Sequence, residues 1–389
     1  FYDASISYRS LKSANFAEVL DLLGGTGFLN VDSFDGVQFD LKNPNAITQV
    51  GDKYSYNYNM FAHMLSGFAQ AQFKYNKIDF YTSINVASTQ YQREGLFHSE
   101  NFINNSFGKG NKLAFMDIGV KGGFTYKLSG KHVFDVNLGY ITKAPSIENS
   151  YTNSRSNHNT VPNISEEQIG TLDASYIFRS SYIKAKLTGF YTQVKNTNEI
   201  SFFFADGIGN IIADSGTQQS GRDNTEFIQE ILQGINKNHM GSEFGLEAQL
   251  TPTLKLKGAA SVGQYTYANN PDLYLSSNRF ENVYLGKSYL KNYKLAVGPH
   301  QAYSIGFEYR DPDYWWFGAT ANFFTNTYID VSPLTRTNNF YTDVDGLPFI
   351  DYDEDLARVL LKQERFDDYM VVNLVGGKSW KVNEYYIGF

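Results

Sequence analysis

The sequence predicts an all-β chain, a transmembrane antiparallel β-barrel portion of about thirteen strands. Three observations carry this. Apolar and polar residues alternate with period two in runs longer than the roughly 5–6 residues of a soluble strand. The connections fall into two strictly alternating kinds, tight turns and long polar loops. Aromatic residues gather beside the tight turns, as an interfacial girdle requires.

The clearest unit is Leu113 to Lys143. Ala114, Met116, Ile118, Val120, Phe124 and Tyr126 share one face, with Asp117, Lys121 and Thr125 on the other. Ser129-Gly130-Lys131 turns the chain, and Phe134, Val136, Leu138 and Tyr140 resume the apolar face. This reads as a hairpin whose ribbons can each cross a bilayer, which takes about 9–11 tilted residues.

Taken in order, Phe1–Arg9 alternates and reads as a strand. Residues 11–64 read as a long irregular loop in which Phe16, Val19, Leu20 and Leu23 have helical spacing, so Ala14–Leu23 is expected to form a short helix. Leu65–Tyr75 and a strand opening at Ile78 follow, joined by Asn76-Lys77. Further hairpins are Gln168–Phe178 with Tyr182–Val194, Met240–Leu250 with Leu254–Tyr267, and Gln301–Tyr309 with Tyr314–Thr325. Asp368–Gly377 and Glu384–Phe389 complete the series. The long loops run to roughly 20–50 residues where compact domains use about 4–6. Short periplasmic turns opposite long extracellular loops is the plan of an outer-membrane barrel. An odd strand count leaves the first and last strands without a closed seam, and lipid does not tolerate an open edge. The chain is therefore expected to be a portion of one larger barrel domain.

Composition narrows the classes. The chain has 389 residues, 29 Tyr, 31 Phe and 3 Trp, and 19% charged residues. Mean hydropathy is −0.38, which is uninformative for a barrel because half of each strand faces a polar lumen. No apolar run approaches the roughly 18 residues of a transmembrane helix. There is no Cys, hence no thiol chemistry, and the net charge of −7 argues against nucleic acid as a partner. A propeller would place about four strands in each repeat of roughly 40–45 residues, where this chain places two. Sandwich strands are shorter and lack the two-class connections.

The stretch Tyr140-Ile141-Thr142-Lys143-Ala144-Pro145-Ser146 resembles the aromatic–x–basic–Ala-Pro-Ser strand end of TonB-dependent outer-membrane receptors. Glu166-Glu167-Gln168-Ile169-Gly170 is similar to the acidic segment and Gly-containing strand that follow it there. Phe190-Tyr191 with Lys195-Asn196, and Gly241-Ser242-Glu243-Phe244-Gly245-Leu246-Glu247, resemble two later strands of that family. The Tyr-, Asn- and Lys-rich composition looks like its Bacteroidetes-type branch. The resemblance implies the C-terminal part of a barrel of about 22 strands around a plug. The plug, the first strands and the last strand would lie outside this chain. It also implies localisation to the cell outer membrane and a transport role: extracellular loops bind a scarce solute, and TonB, acting through the plug, energises its import. Implied partners are outer-membrane lipid, TonB through that plug, and a surface lipoprotein or other outer-membrane proteins docked on the long loops. The alternative is a structural subunit of a larger outer-membrane protein complex. No catalytic constellation appears, so an enzyme is not expected.

Two loops hold candidate sites. Arg155, Asn157 and His158 lie in an Asn-rich loop and offer hydrogen bonds to a polar ligand, Arg155 as the bidentate anchor for an anion. Asp343, Asp345, Asp351 and Asp353 form the densest acidic cluster, a candidate Ca²⁺ site without EF-hand spacing; a solvated acidic loop is the plainer reading. Lys184, Lys186, Lys255, Lys257, Glu243 and Glu247 are expected to pair across the lumen face. Arg93-Glu94 reads as rim charge.

Overall fold

The computed structural model describes residues 1–33, 36–205, 226–342, 347–382 and 385–388. Its long strands are β1 (Tyr2–Glu18), β4 (Lys53–Lys74), β5 (Ile78–Gly95), β7 (Leu113–Lys127), β8 (His132–Lys143), β9 (Glu167–Arg179), β10 (Ile183–Ala205), β11 (Glu226–Gln249), β12 (Leu254–Tyr267), β15 (Pro299–Arg310), β16 (Trp315–Thr327) and β17 (Tyr369–Val382). The shorter ones are β2 (Phe28–Leu29), β3 (Ile47–Thr48), β6 (Gly108–Lys109), β13 (Asp272–Ser277), β14 (Val283–Lys287) and β18 (Tyr385–Gly388). Sixteen strands form one sheet, ordered β1-β4-β5-β7-β8-β9-β10-β11-β12-β15-β16-β17-β18, with β6, β13 and β14 branching from it. Every pairing is antiparallel and joins the nearest long strands in sequence. β6, β13 and β14, and the separate pair β2 and β3, are not read from alternation; they are short and fall inside the long loops, where no alternation marks them. Among the described residues the sheet does not close: β1 pairs only with β4, and β18 only with β17.

The two faces differ as the alternation requires. Ile84, Val86, Met116, Ile118, Val120, Leu138, Leu172, Leu187, Ile305 and Leu374 are all exposed large apolar side chains on one face. A soluble monomer avoids a contiguous apolar surface of this extent; a hydrocarbon solvent favours it. The other face is stitched by polar pairs. Ser175 Oγ and Thr188 Oγ1 lie 2.9 Å apart, as do Thr171 and Thr192, and Asn137 donates to Asp173 at 3.0 Å. The expected ion pairs form in part: Lys184 and Lys255 reach Glu247 at 3.2 and 3.5 Å, and Lys257 reaches Glu308 at 2.7 Å.

Each tight turn closes with a backbone bond, among them Tyr75 N to Ile78 O at 2.8 Å, Ser180 N to Ile183 O at 2.7 Å and Asp311 N to Trp315 O at 2.8 Å. Aromatic pairs sit beside them: Phe73 with Phe80 at 4.7 Å and Tyr309 with Trp315 at 5.1 Å.

The opposite end of the sheet departs from expectation. The helix expected over Ala14–Leu23 does not form. Residues 14–18 continue β1, paired in register through Phe16 with Asn57, and a bulge shifts the register after Phe16. The strand expected to open at Leu65 opens at Lys53 instead. β10 and β11 run 23 and 24 residues, well beyond Val194 and Met240. Pairing to a long neighbour, not intrinsic periodicity, extends these strands.

Candidate functional site

Past the bilayer-length part of the sheet, the strand extensions and loops build a second layer. It packs around two apolar clusters. One holds Leu232, Ile235, Leu273, Leu290 and Val331; the other holds Ile228 and Leu275, with Leu334 packing against both. Loops rooted in distant parts of the sheet meet here. Asn278, after β13, is the meeting point. Its carbonyl accepts from Asn101 Nδ2 at 2.8 Å, and its Oδ1 accepts from Asn153 Nδ2 and Ser156 Oγ, both at 3.0 Å.

The loop after β8 is held by Arg93. This residue lies near the end of β5, on the same face as Ser83, Ala87 and Thr89, and is only 2% exposed. Its Nε donates to Ser154 O at 2.6 Å, and its Nη1 to Ser106 O at 2.9 Å. Nη1 also lies 3.0 Å from His158 Nδ1, and Nη2 donates to Arg155 O at 3.4 Å. The guanidinium stands 5.2 Å from the Tyr58 ring. Burial pulls the Arg93 pKa down to about 10, with Tyr58 and Tyr151 opposing, so it stays charged at neutral pH. Burial, then the Arg93 charge, pushes His158 down to about 4. A neutral His158 accepts from Arg93 through Nδ1 and carries its proton on Nε2. Gly95 makes room for this arrangement, because a Cβ there would overlap the Ser106 carbonyl.

The three residues read as ligand candidates separate. Arg155 is exposed, with its guanidinium 5.0 Å from the Tyr56 ring. Asn157 is fully buried and its Oδ1 accepts from Asn159 N at 2.9 Å. His158 is half-buried and turned onto Arg93. Arg93 was read as rim charge, and the structure places it at the centre of the loop's anchoring. Its parity with Ser83 and Thr89, opposite to Ile84 and Val86, is the sequence signal that puts it on the inner face.

Beside this anchor lies a cleft of about 140 Å³ lined by Asp32, Tyr56, Arg93, Phe97, Asn153, Arg155, Phe202, Phe227, Gln229 and Asn278, among others. Gln229 is 1% exposed, and its Oε1 has no hydrogen-bond partner among the described residues.

Of the acidic cluster, Asp343 and Asp345 lie outside the described residues. Asp351 is exposed. Asp353 caps a short helix, α1 (Glu354–Leu360), its Oδ1 accepting from Asp355 N at 2.9 Å and Leu356 N at 3.0 Å. Among the described residues no group of three or more His, Asp or Glu is placed to hold a metal ion.

Comparison with solved structures gives a consistent fold. The copper transporter OprC matches with a TM-score of 0.55 at 13% identity, over 97% of this chain and 45% of that one. The ferric-catecholate import receptor Fiu from E. coli K12 matches at 0.54 and 12%, over 98% and 46%. The ferric citrate transporter FecA matches at 0.54 and 8%, over 98% and 44%. The chain shares the fold of these transporters and import receptors. It spans less than half the length of each of the three. No family model and no curated protein matches the sequence. The tight turns lie at one end of the strands, and the Arg93 anchor with its cleft lies at the other.

Proposed function

We propose that the chain is a barrel portion of a TonB-dependent outer-membrane receptor, and that its extracellular layer captures a scarce small solute for import. The observation that supports this most is the layer itself. Loops from across the sheet are fastened to one another by buried polar contacts, beside a cleft lined by the Arg155 guanidinium and the Tyr56 ring. The structural neighbours whose names state a role are transporters and import receptors, which favours capture and import over catalysis.

The open edges at β1 and β18 fit a barrel completed by strands outside residues 1–389. In this reading the energy-coupling plug also lies outside them, and the chain contributes capture rather than coupling. A surface lipoprotein would find its footing on the same layer.

The test is uptake. Cells carrying the complete protein are expected to lose growth on a limiting solute when either the receptor or TonB is removed, with equal loss in the double deletion. Unchanged growth across candidate solutes, together with stoichiometric copurification of other outer-membrane proteins and no bound solute, would establish the structural-subunit alternative instead.

A further inference from the structure

We propose that the free edge of β10, residues 197–205, takes up a short extended peptide with apolar side chains at alternate positions, as an added β-strand. The inference rests on the capture reading above and names the class of solute captured.

The backbone comes first. On one side β10 pairs with β11 from Ile183 to Ala205. On the other it pairs with β9 only as far as Lys195, opposite Gln168. Beyond that point no backbone hydrogen bond reaches this side from the described residues. A bare row of amides and carbonyls is a template for another strand, which is why edges are ordinarily blunted by charge, Pro or a bulge. The β10 bulges lie lower, between Val194 and Glu199, and Glu199 is paired with Lys237. Ile200, Ser201, Phe202, Phe203, Phe204 and Ala205 bring no charge, Pro or Gly. At about 3.4 Å per residue this run is about 20 Å long and matches a peptide of about six residues.

The faces come next. Phe203 and Ala205 pack against the cluster of Ile228 and Leu275. Phe202 and Phe204 take the opposite face and stay 56% and 68% exposed. They flank the Phe227 ring at 6.3 and 5.0 Å, and Phe202 and Phe227 line the cleft beside Tyr56 and Phe97. An added strand sets every second side chain on this aromatic face, where aromatic and β-branched residues pair best. The main chain supplies affinity and the face supplies selectivity.

The place of the edge selects a thin occupant. β9 fills the same side of β10 immediately below, where Asn196 Nδ2 donates to Ser165 Oγ and Glu166 O. The edge thus stands above the protein's own wall. A single strand fits over it, whereas a second copy, upright in the same membrane, meets the wall first.

The complete receptor, purified in detergent, is titrated into a fluorescein-labelled hexapeptide of alternating valine and threonine, with binding read by fluorescence anisotropy. Saturable binding is expected. Two further peptides carry N-methyl groups on alternate amides, one on its valines and the other on its threonines. A strand on an edge uses one side of its backbone, so one methylated peptide is expected to lose at least about tenfold in affinity and the other to bind like the parent. Phe204→Lys places a charge on the edge and is expected to weaken the parent peptide by at least about tenfold. Heat-modifiable migration on gels checks that the variant is folded; the methylated peptides need no variant and decide the matter if it is not. No saturable binding, or an equal effect of the two methylations, overturns the proposal. So does a receptor dimer that Phe204→Lys dissociates without any peptide binding, which assigns the edge to a second copy. Uptake of another solute without peptide binding overturns it alone, and peptide binding without uptake overturns only the transport reading.

Discussion

Arg93 shows how one side chain can organise a loop. A buried cation is tolerable when its donors are paired, and here four of the five N–H donors are directed at the Ser106, Ser154 and Arg155 carbonyls and at His158. Removing the guanidinium leaves those acceptors unpaired in a water-poor site. Arg93→Met is expected to cost about 2–4 kcal/mol of local stability and to make residues 151–163 sensitive to limited proteolysis, with the sheet intact by circular dichroism. Protease resistance equal to that of the parent would show that the loop is held by other contacts. Glu230 gives a second prediction. It is 4% exposed, and its Oε2 accepts from Leu334 N at 3.0 Å, fastening the loop after β16 onto β11. Burial raises its pKa to about 7, with the Leu334 amide opposing and Asp330 adding. Docking therefore favours the protonated acid. Its contribution is fully present below the ordinary Glu value of 4.5 and is lost as pH rises to about 7. Hydrogen exchange at the Leu334 amide is expected to be slower at pH 5 than at pH 8 after correction for intrinsic rates. Glu230→Gln should abolish that difference.

Single elements are longer than their local patterns suggest. The alternation predicts that β10 ends at Val194, but the strand runs on to Ala205. Asn196 instead takes a φ of 58° at the first β10–β11 register shift, between Val194 and Thr197, and Gly234 takes 73° at the second, across from Asn198. The Asn196 side chain donates to Ser165 Oγ at 2.7 Å and Glu166 O at 3.0 Å. A bulge uses the same residues as a turn, since both need positive φ, so sequence alone does not separate them. The two faces are the firmer reading, and they make a prediction at this scale. Leu187 is 49% exposed on the apolar face, whereas Lys186 lies on the polar one. Leu187→Arg is expected to destabilise the barrel by about 2–4 kcal/mol if mid-bilayer, while Lys186→Leu leaves assembly nearly unchanged. Urea titration in lipid vesicles measures both. Equal losses would reverse the assignment of the faces.

At the scale of the whole molecule, a wall of long strands carries a second storey of loops. The wall is apolar outside and polar inside, and the storey has its own small core around Leu232, Ile235 and Leu273. Successive long strands are neighbours at both ends, which allows the tight hairpins at one end. Loops at the other end are free to be long, and they meet partners far along the chain, as Asn101 meets Asn278. Alternation alone, in residues such as Ile118 and Asp117, determined the strands, their two faces and the two kinds of connection, because a strand's period of two is a local property. The tertiary structure alone decided that Arg93 is an anchor, that Asn157 is interior and that Gln229 lines a cleft. Each depends on which loops meet above the sheet, and contacts between residues as far apart in sequence as Arg93 and Ser154, or Asn153 and Asn278, leave no periodic mark on the chain that makes them.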